Sequence, residues 1–214
     1  MVKCGKLITF EGPEGSGKST QIKLLANYLS GAGCEVVITR EPGGTPLAEH
    51  FREILKHHHT KEKIHPSTEL FLFEAGRAQN VNEVIKPALA AGKIVLCDRF
   101  TDSTIAYQGY ARGQDLHMLE TLNRLALNGV EIALTILLDL PPEVGFARAA
   151  RRVETQNSFD RMESETLAFH HKVRSGFLAL AAQYPERIKV FNAEQPMEQL
   201  AAAIAREAAD VVGI

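Results

Sequence analysis

The run Gly12-Pro13-Glu14-Gly15-Ser16-Gly17-Lys18-Ser19 constrains this chain more than any other stretch. It fits the pattern G-x-x-x-x-G-K-[ST], a loop whose backbone N–H groups wrap a phosphate. Such a pattern also occurs by chance, so its flanks decide. Upstream, Leu7-Ile8-Thr9-Phe10 is a short apolar and β-branched run that predicts a buried strand. Downstream, apolar residues at 22, 25, 26 and 29 follow helical spacing, and Gly31 and Gly33 predict where that helix stops. A strand, a glycine-rich turn and a helix N-terminus form a pocket that favours an anion. Gly12, Gly15 and Gly17 let the chain curl closely round it, with Pro13, Glu14 and Ser16 between them and Thr20 opening the helix. In this pattern Lys18 reaches the β- and γ-phosphates of a nucleoside triphosphate, and the Ser19 hydroxyl ligates Mg²⁺. A ligand-free turn is the other reading, and it gives Lys18 and Ser19 no packing reason to be there.

The 214 residues suit one domain spanning 1–214, or one domain with inserted segments. With 45% hydrophobic and 23% charged residues, the chain has enough apolar side chain for a real core. A net charge of −2 argues against a non-specific nucleic-acid binder, which needs a basic face. Cys4, Cys34 and Cys97 fall at no metal-ligand spacing and read as reduced thiols. No apolar run reaches the roughly 18 residues of a membrane span, and no signal peptide is visible. The expected location is the cytoplasm.

Further along, residues 35–39 read as a second strand, with Arg40-Glu41-Pro42-Gly43-Gly44-Thr45 at its carboxyl end. Ligands of open α/β sheets bind at that end, although Pro-Gly-Gly serves a plain turn equally well. Residues 46–56 predict a short amphipathic helix, and His57-His58-His59 with His65 a solvated loop rather than a metal site. The segment 67–91 is helical in pattern, capped by Ser67, with Pro87 kinking it or ending its regular run. Phe73 and Arg77 share a face of this helix. Pattern alone favours a core aromatic beside a surface arginine; the alternative is a platform and a donor for a flat base.

Residues 93–97 predict a buried parallel strand ending in Asp98-Arg99, where a Mg²⁺-linked acid or a base would be needed. The polar run from Thr101 to Gly109 includes Ser103, Thr104, Tyr107 and Gln108. It reads as a loop suited to a hydrogen-bonding ligand, closed by Arg112-Gly113. A helix over 116–127 and a fourth strand over 132–140 follow. A helix over 142–152 then delivers Arg148, Arg151 and Arg152, and a polar loop over 154–158 leads to Asp160-Arg161. Arginines this dense at a helix end suit a mobile lid over phosphates at about 148–161, against the plainer reading of a charged helix face. A long helix over 163–183, a fifth strand over 188–191 and a helix over 197–212 complete the chain. Five strands alternating with helices predict a three-layer α/β fold with a five-stranded parallel sheet.

Taken together, Phe10–Thr20, Arg40–Thr45, Leu72-Phe73-Glu74-Ala75-Gly76-Arg77, Asp98-Arg99, Ser103-Thr104 and Ala106-Tyr107-Gln108-Gly109 resemble bacterial thymidylate kinases over nearly the whole chain. The phosphate loop is common to many proteins, whereas the other segments in this order are far more specific. The resemblance implies a P-loop kinase fold and ATP-dependent phosphorylation of dTMP to dTDP with Mg²⁺, in a homodimer. It implies that Phe73 stacks on thymine, Arg77 hydrogen-bonds the base, and Arg40 and Arg99 hold the dTMP phosphate. Glu14 would face the 3′-OH, and Tyr107 would crowd the 2′ position. Gln108 with Thr104, beside Ser103, would read the base edge, and Pro42 would lie near the 5-methyl. Lys18 and Asp98 would act at the transferred phosphoryl, with Ser19 and Asp98 towards the metal. Some members of the family carry an arginine where this chain has Gly15; the others supply it from the lid, for which Arg148, Arg151, Arg152 and Arg161 are the candidates.

Two rivals bound this reading. One is another small kinase on the same scaffold with a different nucleotide or nucleoside acceptor. The second is a P-loop switch or partition ATPase; a guanine-reading Asn-Lys-x-Asp segment, which would support a GTPase, is missing from the chain.

Overall fold

A computed structural model describes residues 5–56, 62–156, 161–162 and 164–214, with backbone alone at 149 and 151–156. Strands β1 (Lys6–Glu11), β2 (Val36–Arg40), β3 (Ile94–Asp98), β4 (Leu134–Asp139) and β5 (Ile188–Asn192) form one sheet in the order β2-β3-β1-β4-β5. Every pairing is parallel, so helices must carry the chain back between strands. These are α1 (Lys18–Gly31), α2 (Pro46–Lys56), α3 (Pro66–Asn80), α4 (Lys86–Ala90), α5 (Thr101–Thr104), α6 (Leu116–Leu127), α7 (Pro142–Gln156), α8 (Leu167–Gln183) and α9 (Met197–Val212). The predicted three-layer α/β fold is the observed one.

Alternation along β1 divides the core. Ile8 and Phe10 pack with Ile22, Leu25 and Leu29 of α1 and with Leu200 and Ile204 of α9. Leu7 joins Val81, Ile85, Val95 and Phe100 on the other side. A further cluster sets Tyr107, Val173 and Phe177 against Leu137. Each such fully buried side chain contributes about 1.5–3 kcal/mol. Both faces of the central strands are covered, which explains why β3 and β4 read as continuous apolar runs.

Register brings the carboxyl ends of the strands level. Phe10 and Arg40 both pair with Asp98. The ladder then runs one step further, Glu41 N–H donating to the Asp98 carbonyl and Arg99 N–H to that of Phe10, both at 2.9 Å.

Several boundaries differ from expectation. Residues 101–111 are not a loop: α5 continues into a π-helical segment, Ile105–Ala111. Polar groups of this segment face inward to partners distant in sequence, so its polarity does not mark a loop. The start of α3 is capped by His65, whose Nδ1 accepts Ser67 N–H at 3.3 Å, with Pro66 in the first helical position. Ser67 is therefore inside the helix. Beyond α3 a π-helical turn, Val81–Ile85, precedes Pro87, the kind of i→i+5 adjustment that lets a helix absorb a proline. Helix α7 runs to Gln156 rather than ending at 152, and α8 starts at Leu167, where Thr166 Oγ1 accepts Phe169 N–H at 3.2 Å. The predicted polar loop thus begins as helix; its remainder at 157–158, Asp160, the histidines 57–59 and Cys4 lie outside the described residues. Cys34 and Cys97 are free thiols. No helix among the described residues is long and apolar enough to cross a membrane.

Candidate active site

The phosphate loop joins β1 to α1. Gly17 caps α1 in the left-handed conformation (φ 88°) and no side chain caps that terminus. The first N–H groups of α1 are therefore turned to the loop's concave side without a carboxylate competing for them. Gly15, at φ 73°, lies against α7: a Cβ there would sit 2.5 Å from the Gly145 carbonyl. This close approach gives a physical reason for glycine at this position.

Lys18 is buried, and its ammonium donates to the carbonyls of Gly12 (3.1 Å) and Pro13 (3.0 Å). Burial, reinforced by the nearby Arg99 charge, lowers its pKa to about 8. An anion in the loop would favour the charged form and raise this value again. The Ser19 hydroxyl donates to Asp98 Oδ2 at 2.9 Å. That hydroxyl–carboxylate pair is an all-oxygen donor set of the sort Mg²⁺ takes together with phosphates and water.

Arg99 follows β3 with φ 65°, a left-handed conformation uncommon for a side chain this large. Its guanidinium donates to the Gly12 carbonyl at 3.1 Å, reaches Glu14 Oε2 at 3.5 Å, and stands over the Tyr107 ring at 5.2 Å. The Cys97 thiol donates to the Arg99 carbonyl at 3.1 Å and braces the turn. Arg40, one strand over, is paired at 2.9 Å with Glu49, whose other oxygen accepts Gly44 N–H. Pro42 follows a cis peptide bond, and its carbonyl accepts from Arg52 at 2.7 Å.

Helix α3 supplies the other wall. Phe73 is half-buried on the face that also carries Arg77. Arg77 is no surface arginine. Only 2% exposed, it donates to Glu41 (2.8 Å), Glu74 (2.6 Å), Thr104 Oγ1 (2.9 Å), Asn123 Oδ1 (2.6 Å) and the Phe100 carbonyl (3.1 Å). Burial raises the Glu41 carboxyl to about 7 despite this arginine. One turn before Phe73, buried Glu69 accepts Gln108 Nε2 at 2.9 Å and chelates Arg112.

Glu11, at the end of β1, is fully buried. It accepts Phe100 N–H (2.8 Å), Ser103 N–H (3.1 Å) and the Ser103 hydroxyl (2.6 Å). It thereby caps α5 from a different strand, and burial with the nearby Asp102 charge raises its pKa to about 7. The lid candidates divide. Arg148 donates to the carbonyls of Gly15 (3.4 Å) and Ala193 (3.1 Å), at the rim of the phosphate loop. Arg161 instead donates to the Leu55 carbonyl (3.0 Å) and to Glu69 (2.5 Å). The side chains of Arg151 and Arg152 lie outside the described residues.

One end of the sheet thus gathers the phosphate loop, Arg40, Asp98 and Arg99, beside Phe73, Arg77, Thr104, Tyr107 and Gln108. Glu41 lies in the Arg40–Thr45 stretch that the sequence marks as a site candidate, whereas the burial of Glu11, Glu69, Glu74 and Asn123 has no such signal. Glutamate is a surface residue by type, and only the helical spacing of 69, 73 and 77 hinted at Glu69.

A family model described as Thymidylate kinase matches residues 10–204. The chain belongs to the thymidylate kinase family. It is 51% identical over 202 residues to the thymidylate kinase of Geotalea uraniireducens, covering 94% of each chain. It is equally 51% identical over 203 residues to that of Geobacter sulfurreducens, covering 94% of this chain and 95% of the relative. The crystal structure of thymidylate kinase from Ehrlichia chaffeensis superposes with a TM-score of 0.75 at 36% identity, over 95% of this chain and 98% of that one. The family model's span takes in the phosphate loop and the wall built on α3 alike.

Proposed function

We propose that this chain transfers the γ-phosphoryl group of ATP to dTMP, giving dTDP and ADP. The observation that carries the reading is the level arrangement of two anion sites. The phosphate loop with Lys18 lies on one side, Arg40 and Arg99 on the other, and a base-sized wall built on Phe73 stands beyond them.

Phosphoryl transfer asks the protein for in-line positioning and cancelled charge rather than covalent chemistry. The acceptor's own phosphate is the nucleophile, so two polyanions must be brought together. In this reading Arg40 and Arg99 hold the dTMP phosphate, while Lys18 and the N-terminus of α1 hold the donor. Ser19 and Asp98 would hold Mg²⁺, which would supply neutralising charge to the phosphates. Glu14, already beside Arg99, faces the sugar 3′-OH, and the Tyr107 ring under Arg99 crowds the 2′ position. Phe73 stacks on thymine, with Thr104, Gln108 and Ser103 along its edge and Pro42 towards the 5-methyl. Arg77 already donates to two buried carboxylates, to Thr104, to Asn123 and to the Phe100 carbonyl, so its contact with the base would use an Nη2 hydrogen. Among the lid candidates Arg148 stands at the phosphate loop, and with Arg151 and Arg152 on the same helix it would serve the transferred group. The lid over 148–161 belongs to the single domain 1–214 in this reading.

The neighbouring helices α2, α3 and α6 leave Leu47, Ile54, Phe71 and Leu125 exposed, which supports a homodimer joined through that face. The location proposed is the cytoplasm, with no nucleic-acid or membrane partner. The test is ADP release with Mg-ATP and a panel of dTMP, dUMP, UMP, dCMP, dAMP, dGMP and AMP. Turnover dominated by dTMP, weaker with dUMP by the about 1–3 kcal/mol of one methyl, is the expected result. ADP release independent of any acceptor would overturn it.

A further inference from the structure

Two side-chain pairings tie helix α3 to the segment that runs from Thr101 to Arg112. At one end Arg77 meets Thr104; at the other Glu69 meets Gln108 and Arg112. Phe73 lies between these pairings along α3, midway from 69 to 77. Whatever stacks on Phe73 therefore faces the span from Thr104 to Gln108.

Glu69 is the most heavily engaged carboxylate of this wall. It is 1% exposed and receives hydrogen bonds from three separate parts of the chain: Gln108, Arg112, and Arg161 from beyond α7. Arg112 also binds Glu165 at 2.9 Å. Burial by itself would raise the Glu69 carboxyl, but the Gln108 hydrogen bond and the guanidinium groups hold it below the ordinary carboxylate value. It is therefore ionised, and an ionised carboxylate only accepts hydrogen bonds. The amide of Gln108 must turn its NH2 to Glu69, and its oxygen is the group left to meet a ligand. Thymine and uracil carry a proton on N3; cytosine presents a lone pair there.

We propose that Glu69, held by Arg112 and Arg161, is a specificity-positioning residue: it fixes Gln108 as a hydrogen-bond acceptor and so selects a pyrimidine with a proton on N3. Arg161 acts through this carboxylate and not at the phosphates. The inference rests on the dTMP reading above.

The experiment compares kcat/KM for dTMP and dCMP in the full-length protein and in Glu69→Gln, Gln108→Leu and Arg161→Lys. A neutral amide at 69 lets Gln108 turn either way. Glu69→Gln should then lower the dTMP/dCMP ratio by about tenfold, the worth of one charge-enforced hydrogen bond, chiefly through KM and with dCMP gaining. Gln108→Leu should lower the ratio comparably with Glu69 intact, and Arg161→Lys, which keeps the charge, should largely preserve it. An unchanged ratio in Glu69→Gln, or equal losses on both acceptors, would overturn the proposal. Should Glu69→Gln fail to fold, Gln108→Leu decides: a ratio like that of the unmodified chain overturns it. Failure of the underlying reading looks different, because the unmodified chain would then show no preference for dTMP at all.

Discussion

The two sides of this site hold their charges by opposite means. On the phosphate-loop side Lys18 is buried against carbonyls, and burial has pushed its pKa down to about 8. Among the described residues its ammonium's hydrogen bonds go to the Gly12 and Pro13 carbonyls and the Ser16 hydroxyl rather than to a carboxylate. On the α3 side Arg77 is equally buried, which by itself would lower its pKa, but the Glu41 and Glu74 carboxylates raise it. A buried cation without an anion is a site waiting for one, whereas a buried cation already paired is scaffold. In the proposed reading the difference separates a cation left open for a phosphate from one whose position the surrounding wall fixes.

The comparison can be broken at either end. Lys18→Met should lower kcat by about 10²–10³ or more, the scale for one lost charge-stabilising donor. The same change should raise stability, because a shift from 10.5 to about 8 corresponds to about 3 kcal/mol of burial cost that methionine lacks. Urea unfolding and single-turnover kinetics on one preparation check both halves. A destabilised Lys18→Met protein would place this lysine among the scaffold residues. Arg77→Met should do the reverse, leaving Glu41 and Glu74 buried without their cation and costing about 3–5 kcal/mol of stability. If its urea midpoint matched that of the unmodified chain, the distinction would fail.

The smallest effect concerns Glu11, which binds a proton more readily in the folded chain than in the unfolded one. Between pH 4.5 and about 7 the native state therefore holds more protons, and stability falls as pH rises through that window. Glu41, also raised to about 7, adds to the same slope. Glu11→Gln should remove about half of it and still cap α5, since the Ser103 hydroxyl can turn to accept from the new amide. Thermal unfolding followed from pH 5 to 8 is the check; an unaltered slope would mean that Glu11 stays ionised throughout.

These same contrasts explain what could be read from residue order. The phosphate loop is local: its glycines, Lys18 and Ser19 act through backbone geometry set within eight positions, so their spacing was enough. Strand and helix order followed from periodicity, and β1 to β5 appeared where apolar runs predicted them. The segment 101–111 was misjudged because its helical start is capped by Glu11, some ninety residues away.

By itself the sequence determined the parallel α/β architecture, the phosphate loop and the family, since each depends on neighbours in the chain or on motif order. Only the tertiary structure decided which charges are spent and which are available. Glu69 gathers Gln108, Arg112 and Arg161 from 39, 43 and 92 positions away. It also placed Arg148 at the phosphate loop and Arg161 at the base wall, a division that their common residue type concealed. The physical reason is that burial and pairing set the chemistry of an ionisable group, and both are properties of what surrounds it in space.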